Sequence, residues 1–374
     1  MIGQPYISVI VTAYNRRKYL PFALRSLEAQ TLPRDKFEVV VVKNFEDKES
    51  DDIISRNGWK DVYNDDLYQG RMVLAGLEES RGEVITFLDD DDMYVNNRLE
   101  EVYKAFTSFK RLVYFQNSQT TIDSNGNVLE RSPFSLHVSK NLVGGSPIVI
   151  DVDKLRGLAK RYNVSVADLV LKVRAGADFN SSSLAVRRSA LEVSAHLLRE
   201  LPISVDSFTF ASSLKAGGLL YFTDRRLTLY RVHGASFSAN FSMQLGDVRA
   251  AELRAALGYL KFAVAYRLIT EVLGDDCNYY GLHSLSTRAG LQMLLKLGPL
   301  PSCLRVSLRD LARALRCYLR GPWSLAESGL LPALVSFALY PLFSSPLGGA
   351  LYRLGESVYK RVYYSEYTKT RPSW

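Results

Sequence analysis

Three short apolar runs, Ile7–Thr12, Phe37–Val42 and Val84–Leu88, constrain the fold of this chain most. Each is rich in β-branched residues and shorter than a helix, so each reads as a strand buried on both faces. Helix signals fall between them. Pro21 opens a stretch carrying Phe22, Leu24 and Leu27, and a second helix is expected over Gly70–Ser80. The charged stretch Asn44–Asp52 follows the second run. Strands alternating with helices predict an α/β fold with a mainly parallel sheet flanked by helices. Ligands of such sheets collect beyond the carboxyl ends of the strands. That rule gathers Thr12–Asn15, Lys43–Asn44 and Asp89–Asp92 around one crevice.

The pattern then becomes mixed. Leu112–Gln116 and Gln119–Ile122 read as strands, and Asn125-Gly126 as a hairpin turn. Ser183–Val186, Leu219–Phe222 and Leu227–Val232 read as further strands. From about Asp247 the character is helical, which divides the chain into a domain over residues 1–240 and a second over 241–374. Arg309, Arg313, Arg316 and Arg320 recur at helical spacing as one basic face. Ser328–Tyr352 carries no charge and is long enough to span a bilayer, but Pro332, Pro341, Pro346 and Gly348-Gly349 interrupt it. A kinked span, a re-entrant hairpin and a buried helical pair all fit such a segment. The basic flank favours a membrane-associated C-terminal region, and a packing or oligomer interface is the plainer alternative.

With 47% hydrophobic and 23% charged residues the chain is not mainly disordered. Its formal charge of +8 favours anionic partners: nucleic acid, a membrane surface or a phosphorylated substrate. Cys277, Cys303 and Cys317 form no paired spacing, so neither a zinc site nor a disulfide framework is expected, and a reducing, intracellular setting fits. The first residues enter a strand-like run at once and show no signal-peptide pattern.

The sharpest local feature is Asp89-Asp90-Asp91-Asp92, set directly after the Val84–Leu88 run. Four adjacent carboxylates repel one another. A divalent cation relieves that repulsion, and hard oxygen ligands suit Mg2+ or Mn2+ with phosphate oxygens completing the shell. Such a metal neutralises charge on a departing diphosphate. The alternative is an acidic turn that caps a helix starting near Asn96.

Taken together, the segment Ile7–Arg16, the segment Gly82–Leu88 and the Asp89–Asp92 cluster resemble family-2 glycosyltransferases of GT-A (Rossmann-like) fold, over approximately Ile7–Ser238. The resemblance implies that Thr12, Tyr14 and Asn15 touch the nucleotide. It makes Asp89 and Asp91 the D-x-D pair that engages ribose and metal. Asp90 and Asp92 are also available, since the run permits a one-residue shift. It makes Asp206 the base that takes the acceptor hydroxyl proton in an inverting transfer. It sets Tyr230-Arg231-Val232-His233, followed by Ser236, over the diphosphate, with Arg231 or His233 assisting the leaving group and His233 also available to the metal. Asp91, Asp92 and His233 are thus the expected metal ligands. Asp178-Phe179-Asn180-Ser181-Ser182 reads equally as an acceptor-pocket lining or as an ordinary polar turn.

Where many relatives carry paired aspartates after the second strand, this chain has Lys43-Asn44. Lys43 is then available to phosphate and Asn44 to a base, while Arg71 offers a further donor or is simply exposed. The Q-x-x-R-W signature of processive synthases is absent, which implies transfer of one sugar. The chain also resembles archaeal membrane-associated mannosyltransferases of lipid-linked glycan assembly. That implies a GDP- or UDP-sugar donor, possible use of GDP-mannose, a lipid-linked or glycan acceptor, and a catalytic domain on the cytoplasmic side of a membrane. Two other classes compete. A nucleotidyltransferase would share the acidic metal site but needs an early glycine-rich loop, and Thr12–Lys18 contains no glycine. A non-catalytic protein at a membrane surface would explain the C-terminal third but not four acids at a strand end. Nucleic acid is not expected as a partner, because the basic residues cluster with leucines rather than with exposed aromatics.

Overall fold

The computed structural model describes residues 4–129, 147–174, 176–233, 248–274, 278–294 and 309–312, with Leu315 and Leu319. The described strands are β1 (Ile7–Ala13), β2 (Phe37–Lys43), β3 (Lys60–Tyr63), β4 (Val84–Asp89), β5 (Met93–Tyr94), β6 (Leu112–Ile122), β7 (Ile148–Asp151), β8 (Leu184–Arg187) and β9 (Leu219–Arg231). The helices are α1 (Leu20–Glu28), α2 (Lys48–Arg56), α3 (Gln69–Glu79), α4 (Arg98–Ser108), α5 (Val152–Tyr162), α6 (Val166–Val173), α7 (Arg188–Glu192), α8 (Val205–Ala216), α9 (Val248–Leu273) and α10 (Tyr279–Leu294).

One sheet runs in the order β3-β2-β1-β4-β8-β6-β9-β5, with β7 on β9. The β3, β2, β1 and β4 strands are parallel, as the alternating pattern predicts. Beyond β4 the expectation of a mainly parallel sheet holds only for β6 and β9, which run parallel. There β8 pairs antiparallel with both β4 and β6, and β5 and β7 pair antiparallel with β9. The sheet is mixed.

Ile7, Val9, Val11, Val39 and Val41 pack against α1, α2 and α4 in one apolar cluster with Leu24, Leu27, Ile53, Val102 and Phe106. Each such fully buried aliphatic contributes about 1.5–3 kcal/mol. The opposite face of β1 and β2 carries α3, and Gly76 lets that helix approach Ile10 and Val42. Phe22 lies off the core at 49% exposed, while Leu24 and Leu27 are fully buried. The stretch Asn44–Asp52 contains the start of α2, whose N-cap Asp47 accepts a hydrogen bond from the Ser50 N–H.

Gly70 marks the closest approach of α3 to the chain ahead of α8. A Cβ there would be driven into the carbonyl oxygen of Leu198 and lie 2.8 Å from the Leu201 Cβ. Gly70→Ala is expected to lower stability by about 1–3 kcal/mol, the usual cost of overpacking. Urea unfolding would check this, and a midpoint equal to wild type would refute the tight approach.

The chain divides into two compact units: residues up to Gly246 together with Val264–Gly281, and Asp247–Ala263 together with the residues from Leu282. The second half of α9 and the start of α10 thus belong with the sheet. Among the described residues no helix is long and apolar enough to cross a membrane. The Ser328–Tyr352 run, Ser236, Arg313, Arg316, Arg320 and all three cysteines lie outside the described residues.

Candidate functional site

The strand ends meet as expected. Thr12 is in register with Val42 and with Asp89, so β1, β2 and β4 finish at one level. After Asp89 the chain turns back at once, with the Asp92 N–H donating to the Asp89 carbonyl at 3.1 Å. The turn does not cap the next helix: α4 starts at Arg98, and its N-cap Asn97 makes no side-chain cap bond. Asp90, Asp91 and Asp92 are buried.

Arg16, unassigned in the sequence reading, answers the repulsion. Its guanidinium pairs with Asp90 and also with Asp91, at 2.6 Å to Oδ2. Burial works against the Arg16 charge, but Asp90, Asp91 and Asp89 outweigh it and raise its affinity for the proton. His233 Nε2 stands 3.0 Å from the same Asp91 Oδ2, and its ring lies 4.7 Å from that of Tyr19. Burial pushes the Asp91 carboxyl up, yet the His233 hydrogen bond and the Arg16 charge hold it below the usual range. Burial together with the Asp91 and Asp89 charges pushes Asp92 well above it. Asp92 Oδ1 accepts from the Arg231 N–H at 2.9 Å, whereas its buried Oδ2 makes no close hydrogen bond.

Three residues expected at the nucleotide sugar have other partners. Lys43 Nζ meets Asp51 at 3.1 Å, Asp61 at 2.8 Å and the Phe45 carbonyl at 3.2 Å. Two carboxylates and a carbonyl thus already surround its charge, against the expectation that Lys43 meets a phosphate. Its two carboxylate partners lie on α2 and at β3, distant enough in sequence to be invisible there. Arg71 bonds Asp66 at 2.7 Å and the Arg199 carbonyl at 2.6 Å, which ties the start of α3 down. Arg231 is buried. It donates to the carbonyls of Asp91 at 2.9 Å and Asp123 at 3.0 Å and stacks on Tyr19. In these contacts Arg231 braces the acidic turn from behind.

Asn15 and Asn44 form a reciprocal pair. The Asn15 N–H donates to Asn44 Oδ1 at 2.8 Å, and Asn44 Nδ2 donates to Asn15 Oδ1 at 3.1 Å. Tyr14 lies beside them, half-buried. Asn15, Asn180 and Ser204 all hold positive φ, of 56°, 65° and 65°. Such backbone strain concentrates at functional sites.

The turn Asp178–Ser182 joins the two halves of the site. The Asn180 N–H donates to Asp206 Oδ2 at 2.9 Å, and Ser181 Oγ donates to Asp89 Oδ2 at 2.6 Å. The Asp89 N–H in turn donates to Ser182 Oγ at 3.0 Å. Asp206, in the first turn of α8, also accepts from the Ser207 N–H at 2.8 Å. Burial and the neighbouring Asp178 push its carboxyl up to about 7, against the two backbone N–H donors. A carboxyl of that strength accepts a proton efficiently near neutral pH.

Comparison with known proteins agrees with the sequence resemblance. Residues 8–164 match the model described as glycosyl transferase family 2. An uncharacterized glycosyltransferase of Nostoc sp. is 29% identical over 132 residues, covering 34% of this chain and 40% of that protein. One of Methanocaldococcus jannaschii is 29% identical over 140 residues, 35% of this chain and 48% of that protein. The chain therefore spans less than half the length of these relatives. A crystal structure of S. aureus TarS in complex with UDP-GlcNAc covers 90% of this chain and 91% of that one, at 13% identity and a TM-score of 0.49.

Proposed function

We propose that this chain moves a single sugar from a nucleotide-diphosphate donor to a hydroxyl acceptor, with inversion at the anomeric carbon, a reading supported by the match of residues 8–164 to glycosyl transferase family 2. The observation that carries the reading is the Asn180–Ser182 turn, which holds Asp206 next to the acidic strand end. Asp206 takes the acceptor hydroxyl proton as that oxygen bonds to the anomeric carbon. The bond from the same carbon to the diphosphate oxygen breaks, and the nucleoside diphosphate leaves with its electron pair. Thr12, Tyr14 and the Asn15–Asn44 pair hold the nucleoside, and Asp89 faces the ribose. Asp90 anchors Arg16, whose charge keeps the acidic turn from repelling the donor. The catalytic unit comprises residues 1–240 together with Val264–Gly281.

The donor set at the acidic turn fits a divalent ion. Asp91 Oδ2 and His233 Nε2 are 3.0 Å apart, so the two side chains could turn towards one ion if Arg16 gave up its contact with that oxygen. The Asp92 Oδ2 is buried and makes no close hydrogen bond, although the Ser182 side chain acts on the same carboxyl. Among the described residues, however, no group of three or more such side chains is already arranged around one point. Asp91, Asp92 and His233 would hold Mg2+ or Mn2+, which supplies positive charge for the departing diphosphate. The basic and apolar C-terminal sequence supports an acceptor presented at a membrane, such as a polyprenyl-linked glycan or glycolipid, with catalysis on the cytoplasmic side. GDP-mannose is the donor we would try first.

Thermal unfolding of the full chain with GDP, UDP and their mannose and glucose conjugates, each with and without Mn2+, tests the reading. One nucleotide is expected to stabilise the protein in a metal-dependent way, by about 2.7 kcal/mol at a hundredfold excess over Kd. A folded protein that responds to none of them would refute it.

A further inference from the structure

Asp178 has no part in the transfer as drawn, yet it is bound into the site from two sides. Its Oδ2 accepts from Ser207 Oγ at 2.9 Å and from the Tyr280 hydroxyl at 2.7 Å. Ser207 is the chain neighbour of Asp206, and Asp206 accepts from the Asn180 N–H, two residues beyond Asp178. Two crossing hydrogen bonds, 207 to 178 and 180 to 206, thus tie together the two segments that carry these carboxylates. Neighbouring like charges disfavour simultaneous ionisation.

Tyr280 is fully buried, and its ring lies 6.2 Å from that of Tyr266 and 5.3 Å from that of Tyr279. It comes from the start of α10, a hundred residues beyond Asp178. The Tyr279 N–H is itself anchored by Asp168 on α6 at 2.8 Å. The groups around Asp206 are therefore Asp178 from the turn, Asp89 from β4, Tyr114 from β6, and Tyr266 and Tyr280 from α9 and α10, with Arg174 beside Tyr114. Burial raises all three phenols well above 10, so they stay neutral at working pH. After burial, Asp178 and then Asp89 are the groups that push Asp206 up.

We propose that Asp178 is a positioning residue for the base: a second carboxyl, tied to the Asp206 segment by the Ser207 and Asn180 hydrogen bonds, that keeps Asp206 able to hold the acceptor's proton, with Tyr280 as its anchor. The inference rests on the reading of Asp206 as the base. It adds a task for the first turn of α10, which would complete the site from outside the stretch matched by the family model.

The test is a carboxyl 13C titration of the full chain labelled at aspartate, with the Asp206 signal assigned by its loss in Asp206→Asn. The wild-type midpoint is expected near 7. Asp178→Asn should lower it by about one pH unit or more, and Tyr280→Phe should lower it by less. The rising limb of the rate profile should move the same way, so that the ratio of rates at pH 6 and pH 8 increases. An unchanged midpoint in Asp178→Asn would overturn the proposal. Should that variant fail to fold, Tyr280→Phe decides, since it keeps both carboxylates, and an unchanged midpoint there overturns the anchoring. Shifted titrations in a protein that transfers no sugar would refute the base reading and leave the coupling of the two carboxylates standing.

Discussion

Asp206→Asn is expected to lower kcat by about 10²- to 10⁴-fold, the usual contribution of a positioned general base, with little change in KM for the donor. The amide keeps the volume of the side chain and one acceptor oxygen, so the Asn180 turn retains a partner. The pH dependence is the more telling readout. The base acts ionised, so the wild-type rate should climb about tenfold per unit of pH below a midpoint of about 7 and level off above it. Linkage adds a second sign. A carboxyl raised from 3.8 to about 7 on folding contributes stability that is complete below pH 4 and is lost as pH rises through about 7. Asp206→Asn should therefore abolish both the rising limb and this group's part of the pH-dependent unfolding. Rates within tenfold of wild type, with the limb intact, would remove Asp206 from the mechanism.

Asp91→Ala should be nearly as damaging, lowering activity by about 100-fold or more, the upper range for groups that organise a metal site. Asp91 is the shared partner of Arg16 and His233, so its removal breaks the His233 contact to the strand-end turn while leaving Arg16 on Asp90 and Arg231 on the Asp92 carboxylate and the backbone carbonyl of residue 91. The variant should still unfold cooperatively but lose the Mn2+-dependent part of its stabilisation by nucleotide. Retention of that metal response would show that the ion, if bound, sits elsewhere in the turn.

The parallel half of the fold was legible because β1, β2 and β4 are continuous apolar runs, a pattern that only a doubly covered sheet rewards. The other half was not. Leu112–Gln116 and Gln119–Ile122 read as two strands, with the polar run Gln116-Asn117-Ser118-Gln119 across their junction. In the structure those four side chains are buried within one strand, irregular in register around Asn117 and Ser118. They are held by hydrogen bonds to the Gly176 carbonyl, Asn180, Thr228 and the Thr223 carbonyl. Polarity predicts exposure only when partners are absent, and these partners lie some 60 to 110 residues away. The same reason hid the role of Lys43. Its residue type pointed to phosphate, while Asp51 and Asp61 had already claimed its charge. Composition located the acidic turn, but Arg16 as its counter-ion and Tyr280 as the partner of Asp178 required the folded chain.

The turn that joins Asp206 to Asp89 also acts as a ruler. Consecutive residues, Asn180 and Ser181, fasten the two carboxylates, so the gap between them is set by one peptide unit and not by the looser packing of α8 on the sheet. With Asp206 as the proposed base, an acceptor hydroxyl would have to fit within that gap to reach both it and the sugar's anomeric carbon. Changes of acceptor in proteins built this way would then be expected in the walls around the turn, while its length stays fixed. Lengthening it by one residue would separate proton removal from bond formation.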